Sequence, residues 1–170
     1  MKIVFATNNA HKLAEVQAVL GDAYELVTPR MCGVEEEIPE NQPTLEGNAS
    51  EKSHYLRART GLDCFADDTG LEVEALDGAP GVYSARYGHK SSDAERIAYL
   101  LENLKDVPAE RRTAKFVCVI TCRWPDGRRI VARGECPGQI LFAPKGTGGF
   151  GYDPVFYLPE LEKTYAELAP

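Results

Sequence analysis

Two adjacent acids, Asp67 and Asp68, are the side chains in this sequence best placed to do chemistry. They follow a short apolar run over residues 64–66 and precede Thr69-Gly70, where we expect the chain to turn. Side chains inside a strand alternate between its faces, so neighbouring acids can share a target only at a strand end. In open α/β sheets, ligands bind outside the carboxyl ends of the strands. The pair therefore suits a hard cation such as Mg²⁺, although a polar turn that closes a strand explains it equally well.

A second candidate site lies between a predicted strand and a predicted helix. It consists of Thr7, Asn8, Asn9, Ala10, His11 and Lys12. The first turn of a helix offers backbone N–H groups and the positive end of the helix dipole, which together favour phosphate. His11 and Lys12 lie in that turn, where positive charge is disfavoured unless an anion binds. The stretch lacks the Walker A glycines, and a plainly capped helix explains it as well as a phosphate site does.

A third candidate is the glycine-rich stretch over residues 144–154, which places four glycines around two aromatic residues and one acid. Glycine lets a ligand approach the main chain closely. Phe150 and Tyr152 offer flat faces to a nucleotide base, a contact worth about 1–3 kcal/mol per base. Asp153 can accept hydrogen bonds from a purine edge. The alternative is a flexible turn whose aromatic side chains fold back onto the core.

Composition limits the class of protein. With 170 residues, 44% of them hydrophobic and 26% charged, the chain is expected to form one globular domain over residues 1–170. It has no apolar run near the roughly 20 residues that span a bilayer, and its first apolar run is too short for a secretory leader, so we expect no membrane contact and a cytoplasmic location. A net charge of −7 argues against a nucleic-acid polymer as partner, but not against a single nucleotide.

Hydrophobic periodicity predicts the elements that must hold these residues in place. Strands are expected over 2–6, 24–28, 71–76, 114–122 and 129–136, with helices over 10–20, over 44–60 and from the capping box at 92–95. The apolar stripe of the first helix is predicted to comprise Leu13, Val16, Val19 and Leu20. Gly47, inside the second helix, costs roughly 1 kcal/mol relative to alanine.

Taken in order along the chain, several stretches closely resemble the inosine triphosphate pyrophosphatase family, the Ham1-like enzymes. They are residues 6–12, Asn48-Ala49 with Lys52, 66–71, 78–87, 146–156, and Thr164 with 166–168. Each stretch alone is a weak signal, whereas the ordered set is highly specific.

The resemblance implies an α/β fold with a mixed, twisted central sheet flanked by helices and two lobes around a substrate cleft. It implies hydrolysis of ITP, dITP and XTP to a nucleoside monophosphate and pyrophosphate, which cleanses the nucleotide pool. A requirement for Mg²⁺ and a homodimeric state are also implied.

The resemblance also implies roles for individual residues. Asp68 matches the proton acceptor, which also touches the metal ion; Glu40 matches the other metal-binding acid, and Asp67 is a supporting neighbour at the metal. Thr7 to Lys12 match the triphosphate loop, and Lys52 matches a phosphate-contacting lysine. The substrate is further expected to contact Thr69, Phe150, Gly151, Tyr152 and Asp153.

The sequence departs from the family pattern in three places. Residues 40–45 replace a Glu-Thr-Gly-x-Thr-Phe segment, and Gly47 stands where the family often has glutamate. The family's C-terminal lysine and Ser-His-Arg, which contact the base, would follow Pro170; either that segment is absent or it lies outside these 170 residues. Two other functions fit the sequence: a Maf-like pyrophosphatase of different base specificity, and a catalytically silent nucleotide-binding module.

Overall fold

The computed structural model describes residues 1–169, in which seven strands form one sheet in the order β2-β1-β3-β4-β5-β6-β7. The strands are β1 (Lys2–Phe5), β2 (Glu25–Val27), β3 (Cys64–Val73), β4 (Thr113–Arg123), β5 (Arg129–Ile140), β6 (Phe156–Leu158) and β7 (Lys163–Thr164). The α-helices are α1 (Ala10–Leu20), α2 (Leu45–Thr60) and α3 (Asp93–Asn103). Strand β1 runs parallel to β2 and β3, whereas β6 is antiparallel to β5 and β7. The prediction of a mixed sheet with helices is confirmed.

The chain divides into two compact units. Unit 1 contains Met1–Asp68 and Cys118–Gly134, and unit 2 contains Thr69–Val117 and the chain from Glu135 onward. The prediction of one domain over residues 1–170 stays a prediction, and its last residue lies outside the described part of the chain. No helix within residues 1–169 is both long enough and apolar enough to cross a bilayer.

Strand alternation assigns neighbouring positions of β3 to different clusters of the core of unit 1. Phe65 stacks on Phe5 with ring centroids 4.4 Å apart, and this cluster includes Leu13 of α1. The neighbouring positions of β3, Cys64 and Ala66, belong to the other cluster, which includes Leu56 of α2. Adjacent side chains of a strand point in opposite directions. At this end of β3, the side chains of odd-numbered residues therefore point towards α1, and those of even-numbered residues point towards α2.

The first helix begins where the sequence predicts, and α2 begins one residue later than predicted, at Leu45, because Thr44 is its N-cap. The side chain of Asn9 caps α1, that of Thr44 caps α2, and Ser92 with Glu95 forms the capping box of α3. The predicted apolar stripe of α1 is wrong at Val19, whose residue surface is 86% exposed. The helix buries only one narrow side against the sheet, and Val19 lies beyond the edge of that side.

The turn predicted at Thr69-Gly70 is wrong, because β3 continues through it to Val73. Leu71 and Val73 are completely buried in unit 2, and the Leu71 N–H donates to Ser84 Oγ at 2.9 Å. These contacts hold the chain extended through residues 69 and 70. The separate strand predicted over 71–76 is therefore the last part of β3, and residues Glu74–Leu76 form a short 3₁₀ helix. The sequence pattern also gave no indication of β6 and β7.

Unit 2 contains a buried arginine at the C-terminal end of α3. Arg112 is 1% exposed, and its guanidinium donates to the carbonyl oxygens of Leu104, Val107 and Leu141 at 2.6, 2.9 and 3.1 Å. A helix C-terminus presents unsatisfied carbonyls and a partial negative charge, so a cation is favourable there. Arg112 therefore ties the end of α3 to the segment that follows β5.

Candidate active site

Asp67 and Asp68 lie inside β3 and point to opposite sides of it. Asp67 continues the row of Phe65 towards α1, and Asp68 continues the row of Ala66 towards α2. Both residues are buried, with 5% and 9% of their surface exposed. The expectation that a chain turn would bring both carboxylates to one ion is therefore wrong, and each acid has its own partners.

Asp67 forms a salt bridge with Lys12, the last residue of the predicted phosphate loop. The Lys12 Nζ lies 2.7 Å from Asp67 Oδ2, and the Lys12 side chain is 23% exposed. Burial by itself lowers the pKa of Lys12, but the charge and hydrogen bond of Asp67, together with the charge of Asp68, raise it, and the net pKa is raised. Lys12 consequently stays positively charged at the start of α1.

The loop before α1 satisfies several of its own backbone groups. Thr7 Oγ1 accepts a hydrogen bond from the Asn9 N–H at 3.0 Å. Asn9 Oδ1 accepts from the N–H groups of His11 and Lys12 at 2.9 and 3.2 Å. The exposed residues of the loop are Asn8, Ala10 and His11. A phosphate would meet the Lys12 charge and the helix dipole, but it would have to displace the Asn9 side chain to reach the two N–H groups that this side chain caps.

Asp68 belongs to a second group of charged residues, beside α2. Asn48 donates to Asp68 Oδ2 at 3.0 Å, and Lys52 Nζ lies 2.7 Å from Glu40 Oε1. Burial raises the pKa of Asp68 above the ordinary aspartate value, and the hydrogen bond from Asn48 and the charge of Lys52 only partly offset it. The negative charge of Glu40 raises the Asp68 pKa further. Asp68 is thus a carboxyl group with an increased tendency to take up a proton.

The donor chemistry of this group fits a hard divalent cation. Among the described residues, no three His, Cys, Asp or Glu side chains come together as a ready metal cage. Mg²⁺ does not need such a cage, because it usually takes one or two carboxylates and completes its shell with water and substrate phosphates. Glu40 and Asp68 supply that number of carboxylates, whereas Asp67 faces the other side of β3 and pairs with Lys12.

In unit 2, Tyr152 does not offer a flat face to a base. Only 5% of its surface is exposed, its ring belongs to the apolar core, and its hydroxyl donates to the Ser84 carbonyl at 2.6 Å. The prediction of base stacking by Tyr152 is wrong because the aromatic ring fills the core. Tyr152 alone follows the fold-back alternative that the sequence left open, because Phe150 stays half-buried.

The backbone around Tyr152 is fixed by carboxylates. Asp153 Oδ2 accepts from the Phe150 N–H at 3.0 Å, and Asp93 Oδ2 accepts from the Gly151 N–H at 2.9 Å. Gly149 has φ +69°, a backbone conformation that other residues adopt only with strain, and a Cβ there would also meet the Asp153 carboxylate, so glycine is favoured at this position. Phe150 remains half-buried in this ordered segment, and Thr69 is also half-buried.

Known proteins resemble this chain over nearly its whole length. The model of the Ham1 family matches residues 3–170. A dITP/XTP pyrophosphatase from Exiguobacterium sibiricum is 50% identical over 170 residues, which is 99% of this chain and 86% of that protein. Another from Thermus thermophilus is 46% identical over 99% of this chain and 81% of that protein. The chain belongs to the Ham1 family. The solved structure of a HAM1 protein from Coxiella burnetii has a TM-score of 0.90 at 40% identity, covering 100% of this chain and 88% of that chain.

In this Ham1-family chain, unit 1 gathers most of the residues that the sequence singled out. Lys12 pairs with Asp67, and Glu40 pairs with Lys52, whose charge acts on Asp68. The roles assigned to Thr69 and residues 150–153, which belong to unit 2, stay predictions. The sequence pattern did not assign a role to Asn48, although its spacing of four residues from Lys52 predicts that both lie on one face of α2, beside the apolar stripe.

Proposed function

We propose that this chain hydrolyses the non-canonical purine nucleoside triphosphates dITP, XTP and ITP to a nucleoside monophosphate and pyrophosphate, which removes them from the nucleotide pool. The observation that carries the proposal is a buried acid of raised pKa, Asp68, under the electrostatic influence of Lys12 and Lys52 in a chain of the Ham1 family. Its relatives include proteins named dITP/XTP pyrophosphatase.

Asp68 acts as the general base that takes a proton from the attacking water. General acid–base catalysis is most effective when the pKa of the group lies near the working pH, and burial moves the Asp68 pKa in that direction. Lys12 and Lys52 bind the triphosphate and neutralise the negative charge that develops on the departing pyrophosphate. The raised pKa of Lys12 keeps its side chain charged for this task.

Glu40 and Asp68 would hold a divalent ion, which we propose to be Mg²⁺. When bound, it would supply positive charge that neutralises phosphate oxygens. Lys52 already neutralises Glu40 at 2.7 Å, so the carboxylate is kept in place before the substrate arrives. Asp67 contributes by orienting Lys12.

The choice of base follows from hydrogen-bond polarity. Donors that face a 6-oxo group would meet another donor in a 6-amino purine, and buried polar groups left without partners permit large discrimination. We assign this task to residues 150–153, with Phe150 as the stacking ring and Gly151 and Tyr152 as further contacts of the base; the Gly151 N–H is not the donor, because it already donates to Asp93. Asp153 holds the turn through the Phe150 N–H, and Thr69 is proposed to contact the substrate.

The test measures pyrophosphate release from dITP, XTP, ITP and the four common deoxynucleoside triphosphates, each with and without Mg²⁺. We expect rapid, Mg²⁺-dependent release from the first three and slow release from the others. Asp68→Asn should abolish turnover while leaving nucleotide binding measurable. Equal rates on all seven substrates would contradict the specificity, and normal turnover by Asp68→Asn would contradict the assignment of the base.

The homodimer and the cytoplasmic location are further proposals from the sequence. Sedimentation of the purified chain at several concentrations tests the first, and cell fractionation tests the second. A mass equal to one chain at all concentrations, or recovery of the protein outside the cytoplasmic fraction, would contradict them.

A further inference from the structure

Asn48 uses both ends of its side-chain amide within unit 1. It is completely buried in the first turns of α2. Its Oδ1 accepts a hydrogen bond from the Gln42 backbone N–H at 2.9 Å, and its Nδ2 donates to Asp68 Oδ2 at 3.0 Å. A buried amide with partners at both ends has a single orientation, because reversing it would set donor against donor at Gln42.

This orientation fixes the polarity of the contact with Asp68. The backbone N–H of Gln42 can only donate, so Oδ1 of Asn48 must face it and the NH₂ group must face Asp68. An NH₂ group can only donate, so Oδ2 of Asp68 must accept. Oδ2 therefore cannot carry a proton directed at Asn48. Within residues 1–169, Asn48 is the one side chain shown to hydrogen-bond the Asp68 carboxyl group, which leaves Oδ1 of Asp68 for other partners.

The same face of α2 holds the loop that carries Glu40. Glu51 Oε2 accepts from the Asn41 backbone N–H at 2.9 Å, and the Lys52 ammonium contacts Glu40 at 2.7 Å. Asn48 is the member of this set that reaches both the loop and Asp68. Its amide thus sets the position of the acid on β3 relative to the loop with the second acid.

We propose that Asn48 is a positioning residue for the reaction, which holds Oδ2 of Asp68 as an acceptor so that Oδ1 is the oxygen that takes the proton from water. The inference rests on the proposed function, since it concerns the base of that reaction. It assigns different roles to the two carboxylate oxygens: one is anchored to α2, and the other is reactive.

Two Asn48 variants separate the two halves of the amide. Asn48→Ala removes the donor and the acceptor, whereas Asn48→Asp keeps an acceptor for Gln42 but has no donor for Asp68 at about pH 8, where model carboxyl groups are ionised. We expect kcat for dITP to fall about 10–100-fold in both variants, because a misplaced general base loses much of its effect. Binding of a dITP analogue with nitrogen between its α and β phosphates, measured by calorimetry, should change less than about threefold.

Glu51→Ala is the matched control, because it removes the other side-chain contact to the loop backbone without touching Asp68. It is expected to raise KM or the Mg²⁺ requirement while kcat stays within about threefold. Thermal unfolding of each variant verifies the fold, and Asn48→Asp retains the size of the native side chain if Asn48→Ala is too unstable.

Near-normal kcat in Asn48→Asp would overturn the inference, since the loop contact alone would then suffice. An equal loss of kcat in Glu51→Ala would do so too, because holding the loop would explain both results. If the unmodified chain releases no pyrophosphate from dITP, XTP or ITP, the proposed function itself fails and the inference fails with it.

Discussion

Replacing Gly47 by alanine tests how closely the loop before α2 is packed against the helix. A Cβ at position 47 would lie 2.7 Å from Gln42 Cβ and 3.0 Å from Thr44 Oγ1. Carbon atoms in favourable contact are about 3.5–4.0 Å apart, so the new methyl group overlaps the loop by about 1 Å. Gln42 Cβ is attached directly to the backbone, and the overlap can be relieved only if the loop itself moves.

Two opposing free-energy terms decide the result. Alanine is better than glycine inside a helix by about 1 kcal/mol. Overpacking typically costs about 1–3 kcal/mol, and displacing the Thr44 side chain, which caps α2 by accepting from the Gly47 N–H at 3.0 Å, costs about 1 kcal/mol more. We expect a net loss of about 1–3 kcal/mol in the free energy of unfolding. For a chain of this size that lowers Tm by about 3–8 °C.

A double-mutant cycle with Gln42→Gly isolates the overlap. The shorter side chain removes the closest contact, so Gly47→Ala should be neutral or stabilising in that background and destabilising in the native one. Urea unfolding of the four proteins gives the coupling energy, which we expect to equal the overpacking cost of about 1–3 kcal/mol. A coupling below about 0.5 kcal/mol, or a stabilising effect in the native background, would refute the close packing of loop and helix.

Two further predictions concern buried charges. In metal-free protein, Asp68→Asn should raise Tm at neutral pH. Burial raises the pKa of Asp68 in the folded chain, so the folded state loses stability as pH rises through the unfolded and then the folded pKa of this carboxyl group. Asparagine does not ionise and therefore avoids this loss. The gain in Tm should therefore vanish below about pH 4, and an unchanged gain there would contradict the cause given. Arg112→Met should lower the free energy of unfolding by about 3–5 kcal/mol, because three carbonyl oxygens lose their donor. The control is Arg111→Met, at the exposed neighbouring position, which should change the free energy of unfolding by less than about 0.5 kcal/mol. Urea titration measures both variants, and a similar loss of stability in the two would contradict the role of Arg112.

Local signals in the sequence determined the helices and the chemistry. Asn9, Thr44 and the Ser92–Glu95 capping box mark helix starts through contacts within one turn, so their effect needs no distant partner. The types of residue in the acid pair and in the phosphate loop indicated a metal-assisted reaction on phosphate, because carboxylates suit hard cations and a helix start suits anions wherever they occur.

Tertiary packing decided which way each of these side chains faces. The continuation of β3 depends on Leu71 and Val73 being buried by residues distant in sequence, and this continuation separates Asp67 from Asp68. Tyr152 enters the core for the same reason: a large ring gains more from apolar burial than a local pattern can reveal. The sequence determines which groups are available. Which side of a strand each group faces, and whether it is buried, depend on long-range contacts, and these determine the partners that each group meets.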